Sequence, residues 1–147
     1  MRECGFDDLT VSQQELVRAA EQARKHAYSP YSNHRVGAAV RSPSGRVFSA
    51  CNVEIASLSQ TVHAERLAVL SMAASGERRV VELACFGQFS GIPCAECRQA
   101  IWEFCGADRS VEIICTGVDQ PVRVLTMGEL YPHAYGPETK QINPEEF

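Results

Sequence analysis

Apolar residues recur at helical spacing early in the chain, where Leu16, Ala19, Ala20, Ala23 and Ala27 fall on one face. Ser12 followed by Glu15 has the form of a capping box, so a helix is predicted to open there. The turn residues Tyr28-Ser29-Pro30-Tyr31-Ser32-Asn33 end it. The period then changes. Residues 36–41 and 46–50 read as strands, and Ser42-Pro43-Ser44-Gly45 between them closes a hairpin. A second helix is predicted over 61–75, with Leu67, Leu70 and Ala74 facing inward and Gly76 stopping it. A strand over 80–86, a helix over 94–104 ended by Gly106, and strands over 111–115 and 122–125 follow. From Pro132 onward the chain is polar and proline-rich. A hairpin followed by strand–helix–strand alternation predicts an α/β fold, a mixed sheet with helices on both faces. No repeat, low-complexity tract or linker divides the pattern, so 1–147 is expected to form a single domain.

Composition narrows the function classes. A chain of 147 residues is long enough to enclose a core. No apolar stretch approaches the roughly 18 residues of a membrane span. The first ten residues are acidic without an apolar run, which does not read as a secretory signal, and the expected compartment is the cytoplasm. A net charge of −4 with scattered Lys and Arg argues against tight binding to long nucleic acid, which draws its affinity from clustered cations. A small, nearly neutral substrate suits this chain better. Seven cysteines, an odd number, do not suggest a secreted disulfide framework; metal binding or chemistry is the alternative. Only Cys94 and Cys97 have ligand-like spacing, and Cys4, Cys51, Cys85, Cys105 and Cys115 read as small apolar filler.

Two short segments carry chemistry: His63-Ala64-Glu65 and Pro93-Cys94-Ala95-Glu96-Cys97. Each opens a predicted helix. Cys94 and Cys97 are three apart, hence on one helical face, and Pro93 suits the start of that helix. Thiols there face the positive end of the helix dipole, which favours the thiolate that zinc requires. His63 supplies a third ligand. Three protein ligands leave one tetrahedral position open, the pattern of a catalytic site, and the sequence offers no fourth. His63 and Glu65 are two apart and would diverge on a regular helix, so they converge only if the site lies at the helix N-terminal end. There the first-turn amide of Ala64 is free to donate to a substrate carbonyl. The bland alternative is a buried His, a surface Glu and two core cysteines.

The pair H-x-E and P-C-x-x-C, in this order, is the signature of zinc nucleobase deaminases. Between Tyr28 and Glu138 the chain resembles a cytidine deaminase. Ser29-Pro30-Tyr31-Ser32-Asn33 with Val36-Gly37-Ala38 is similar to the family's opening motif. Cys51-Asn52-Val53-Glu54 is similar to its ribose-binding strand, Pro93 to Gln99 to its zinc helix, and Leu130 to Glu138 to its C-terminal segment. The resemblance implies a three-layer αβα sandwich around a mixed sheet, and hydrolysis of cytidine or deoxycytidine to the uracil nucleoside with release of ammonia. It implies zinc on His63, Cys94 and Cys97, Glu65 as proton shuttle, Asn52 and Glu54 on the ribose, and the Ala64 amide on the pyrimidine carbonyl. Tyr135 would reach a neighbouring subunit's pocket, and a homotetramer is expected of so short a member.

The chain departs from the family pattern in several places. His63 stands where short members mostly have Cys, as in the longer dimeric members. Zinc with two thiolates is formally neutral and with three carries −1, so this site should be the stronger Lewis acid and should need Arg66 less to offset a thiolate. His34 stands where Phe is common near the base, Ile92 where Ser is usual, Ala95 where Gly is usual and Ile55 where Asn is usual. His34 and Ile92 motivate a rival substrate, a cytosine-type antibiotic or an N4-substituted nucleoside. A non-enzymatic zinc-stabilised or nucleic-acid-binding module is a further alternative, opposed by the acidic charge and the missing fourth ligand.

Overall fold

Thr10 opens the first helix. Its hydroxyl accepts from the Gln13 amide, and the Gln13 side chain accepts in return from the Thr10 amide. The computed structural model describes residues 1–147, and in it this helix, α1, spans Val11–Arg24. The cap therefore lies two residues before the predicted Ser12, because Thr10-x-x-Gln13 fits the same reciprocal pattern. Ser12, freed from capping, donates to the Glu82 carboxylate at 2.7 Å. The buried face of α1 carries Leu16, Val17 and Ala20.

Six strands form one sheet in the order β1-β6-β5-β4-β2-β3: β1 is Arg2–Cys4, β2 Gly37–Arg41, β3 Val47–Cys51, β4 Glu82–Gly87, β5 Glu112–Gly117 and β6 Val122–Thr126. Only β4 and β5 run parallel, Glu82 beside Glu112 through Gly87 beside Gly117; every other pair is antiparallel. Period-two alternation sorts the core. Ala39, Ala84 and Ile114 face α1, together with Leu16, Val17 and Ala20. Ala38, Val40, Leu83, Cys85, Ile113 and Cys115 face the other way, onto α2 (Ala64–Ala74) and α3 (Ala95–Glu103). The sheet is mixed and covered on both faces, which is the expected αβα sandwich. At Gly37 a Cβ would come within 1.9 Å of the Ala20 carbonyl oxygen, so this glycine is what lets α1 lie directly on β2.

Two differences from the predicted pattern have a physical cause. Helix α2 buries Ala64, Glu65, Ala68, Val69 and Met72, whereas Leu70 and Ala74 are exposed and Leu67 is half-buried. Its sequence is apolar almost all round, so spacing alone could not select the face. Strand β1 is three residues long and polar, so no alternation marks it; its pairing with β6 does. A short helix, α4 (Met127–Leu130), follows β6, capped by Thr126 and Glu129. No helix is long and apolar enough to cross a membrane.

Candidate active site

Helices α2 and α3 lie on the same face of the sheet, and their N-termini meet beside the carboxyl end of β4. An open α/β sheet offers its crevice at this end of parallel strands. His63 is the N-cap of α2, with extended backbone (φ −75°, ψ 151°), and Glu65 is the second helical residue. Because His63 stands outside the helix, the two side chains escape the divergence that two-residue spacing imposes within one. Cys94 is likewise the N-cap of α3 (φ −70°, ψ 172°), and Cys97 lies in its first turn. Pro93 therefore precedes the cap and does not occupy the first helical position. Both helix ends aim unpaired amides and positive partial charge at the site.

The three donor atoms converge. His63 Nδ1 lies 3.2 Å from Cys94 Sγ and 3.4 Å from Cys97 Sγ, and all three lie within 4.8 Å of one another. Tetrahedral zinc with ordinary Zn–N and Zn–S bonds would hold such pairs roughly 3.5 Å apart. Burial pushes the Cys97 thiol up, and the Glu65 carboxylate and Cys94 add to the effect. A divalent cation supplies the charge that makes a thiolate tenable at such a position. The donor set thus fits zinc. Arg66 is turned elsewhere: it donates to the Thr61 carbonyl at 2.9 Å and to the Glu96 carboxylate at 3.3 Å. That orientation suits a site with two thiolates, where no third anion needs offsetting.

A cleft of about 440 Å³ opens beside the triad. His34, Asn52, Glu54, His63, Ala64, Glu65 and Cys94 all line it, while Cys97 is buried beneath. Glu65 is only 6% exposed, and no protein donor bonds its carboxylate. Its carboxylate oxygens, free of any protein partner and not shut off from the cleft, are left to accept from a cleft molecule. The Ala64 amide, at the first helical position, finds no acceptor within α2.

Asn52 and Glu54 are occupied with the protein itself. Asn52 Oδ1 accepts from the Val36 amide and its Nδ2 donates to the His34 carbonyl, both at 2.8 Å. Glu54 accepts from the Tyr31 and Ser32 amides at 2.8 and 3.2 Å and from the Ser32 hydroxyl. The Ser32 hydroxyl, with these two amides, holds the Glu54 carboxyl below the usual carboxylate range against the opposing effect of burial. Both side chains thereby brace segment 31–36, and each keeps spare hydrogen-bonding capacity on the cleft.

Tyr135 lies outside the cleft of its own chain, with 58% of its surface exposed. Its carbonyl accepts from Gln99 Nε2 at 2.9 Å, and the Tyr131 hydroxyl donates to Gln99 Oε1 at 2.8 Å. Arg98 donates to the carbonyls of Pro93 and Leu130, so α3 holds the C-terminal segment as well as carrying Cys94 and Cys97 at its start. Ser32, Thr61 and Phe89 also line the cleft and were not singled out by sequence. The one local signal for Phe89 was an aromatic residue isolated between Gly87 and Gly91, just before Pro93-Cys94. All seven cysteines are free; Cys85, Cys105 and Cys115 are buried as filler, and Cys4 and Cys51 are half-buried.

A donor triad that fits zinc, set at two helix ends of an αβα sandwich, is the arrangement a metal-dependent hydrolase would need. Residues 10–114 match the family described as the cytidine and deoxycytidylate deaminase zinc-binding region. The chain is 34% identical over 127 residues to a cytidine deaminase of Sporosarcina psychrophila, spanning 85% of this chain and 92% of that one. It is 38% identical over 119 residues to one of Mycobacterium tuberculosis, spanning 80% and 84%. The crystal structure of cytidine deaminase from Burkholderia pseudomallei superposes with a TM-score of 0.79 at 38% identity, over 86% of this chain and 100% of that one. The chain belongs to the cytidine and deoxycytidylate deaminase family.

Proposed function

We infer that this chain hydrolyses the 4-amino group of cytidine or deoxycytidine, giving the uracil nucleoside and ammonia. The observation that carries the inference is the largely buried Glu65, its carboxylate without a protein partner, lining one cleft with His63 and Cys94 of the His63–Cys94–Cys97 donor set. Zinc held there supplies a Lewis acid that makes a water nucleophilic near neutral pH. Glu65 takes a proton from the attacking water and delivers it to ring N3 as C4 becomes tetrahedral. It then carries the second proton from the C4 hydroxyl to the amine, which leaves as ammonia while the C4 carbonyl forms. The Ala64 amide donates to the pyrimidine carbonyl, and spare capacity on Asn52 and Glu54 meets the sugar hydroxyls, turning binding energy into positioning.

We take residues 1–147 as one such domain, a reading supported by β1 pairing with β6 and by the bonds from α3 to the C-terminal segment. The cytoplasm suits it, because reducing conditions there keep free cysteines as thiols. A zinc-stabilised binding module gives way to the enzyme, since the donor set numbers only three and two of its members, His63 and Cys94, line an open cleft. His34 and the 39%-exposed Ile92 on the cleft wall keep an N4-substituted or antibiotic cytosine as the second substrate reading.

Ammonia release from cytidine, deoxycytidine, their N4-methyl derivatives and a cytosine antibiotic tests both. Turnover of cytidine or deoxycytidine is expected; turnover of the modified compounds alone would overturn the first reading. In the same assay Glu54→Ala should lower kcat/KM for cytidine by about tenfold or more, since it leaves polar groups unpaired. N1-methylcytosine, which lacks the sugar, should lose much less. Equal losses on the two would confine Glu54 to bracing segment 31–36.

Assembly is the other part of the proposal. The exposure of Tyr135 and the Gln99 bond to its backbone support a role for it in completing the cleft of another copy, and a homotetramer is expected. Sedimentation at assay concentration should show an oligomer, and Tyr135→Ala should weaken cytidine binding. A fully active monomer would exclude it.

A further inference from the structure

His34 and Phe89 come from different loops, one between α1 and β2 and the other between β4 and α3. Their rings nevertheless stack, with centroids 5.5 Å apart and planes within 15°. Both line the cleft. Phe89 is 66% exposed, so core packing does not account for it.

The loop that carries Phe89 is held closely. Gly91 has φ +64°, and a Cβ there would lie 2.4 Å from the Thr116 carbonyl oxygen and 2.8 Å from that of Cys85. A Cβ on Gly117 would lie 2.0 Å from the Phe89 carbonyl oxygen. The loop therefore rests directly on the ends of β4 and β5, at positions only glycine permits. On the opposite side the His34 backbone is pinned at both ends, its amide donating to Ser32 Oγ at 3.0 Å and its carbonyl accepting from Asn52. No protein hydrogen bond fixes the imidazole itself. The stack on Phe89 is what orients it.

We propose that Phe89 is a positioning residue for substrate recognition: it holds the His34 ring as a flat wall against which the pyrimidine ring packs. This rests on the deaminase reading above. Offset-stacked aromatic pairs are favoured by complementary quadrupoles, and losing one partner frees the other to rotate. The wall touches the base and takes no part in proton transfer, so its loss should act on binding. The uracil product presents a similar ring and should feel the wall as the substrate does.

The test uses zinc-loaded, full-length protein. Phe89→Ala should raise KM for cytidine by roughly two- to tenfold. The calorimetric Kd for uridine should rise in parallel, with kcat, zinc content and Tm changing far less. Phe89→Tyr, which can still stack, should restore parental values. Adding Phe89→Ala to His34→Ala should bring no further loss, because Phe89 acts through His34. Unchanged KM and uridine Kd in Phe89→Ala, or fully additive effects in the double variant, would overturn the wall alone. A parent protein that binds neither cytidine nor uridine would overturn the substrate reading and the wall with it.

Discussion

Zinc-loaded Glu65→Gln protein should keep its fold and its metal and bind cytidine nearly as well as the parent, yet turn over at least 10²–10⁴-fold more slowly. That is roughly 3–5 kcal/mol of barrier. Gln matches Glu in size, so α2 and the core beneath it should be undisturbed. Its amide still hydrogen-bonds but accepts no proton. Two successive transfers, to N3 and to the leaving amine, depend on this one group, which puts the expectation at or above the usual range. Were Glu65 only an acidic residue complementing the α2 dipole, its loss would cost under about 1 kcal/mol. The buried position and the absence of any protein partner already weigh against that role. Single-turnover rates with measured zinc content decide it: a rate within tenfold of the parent removes Glu65 from the chemistry.

The parts of the site that were legible in sequence are those whose geometry is local. His63, Glu65, Cys94 and Cys97 were picked out by the H-x-E and P-C-x-x-C signature, and the donor atoms of His63, Cys94 and Cys97 do converge because helix starts turn short spacings into convergence. Residues placed by long-range contacts were hidden. Phe89 reaches the cleft only because its loop lies on Thr116 and Gly117, and no pattern within 87–92 encodes that docking. The bracing role of Asn52 was equally invisible, since its partners are backbone groups of His34 and Val36, on a segment far back along the chain. Tyr135 was named through family resemblance alone, and a single chain leaves it facing solvent.

The fold followed the same division. The change from helical to two-residue period located all the strands but the short, polar β1. Helix α2 was found, but its buried face was not, because an almost wholly apolar helix carries little directional signal. The buried face, with Ala64, Ala68, Val69 and Met72, is the one that packs on the sheet. The helix start was read at Ser12-x-x-Glu15, and the reciprocal bonds of Thr10 and Gln13 set it two residues earlier.

Purified parent protein should carry about one zinc per chain, and Cys97→Ser should lose both the zinc and the activity. Removing one of three protein ligands leaves a two-donor site, and Ser is a much poorer ligand for zinc than a thiolate. Cys97 is the buried member of the triad, so its replacement also places a hydroxyl where burial already resists ionisation. The near-isosteric change should spare the fold, which circular dichroism and Tm can verify independently of the metal. His63→Cys is the complementary variant. It should retain zinc, because a three-thiolate site is workable, but the added negative charge should weaken the Lewis acid and slow turnover. Arg66, bonded here to Thr61 and Glu96, would then have a third thiolate to offset. Elemental analysis reads both variants directly: full zinc in folded Cys97→Ser would break the ligand assignment, and no zinc in folded His63→Cys would break the expectation that three thiolates suffice.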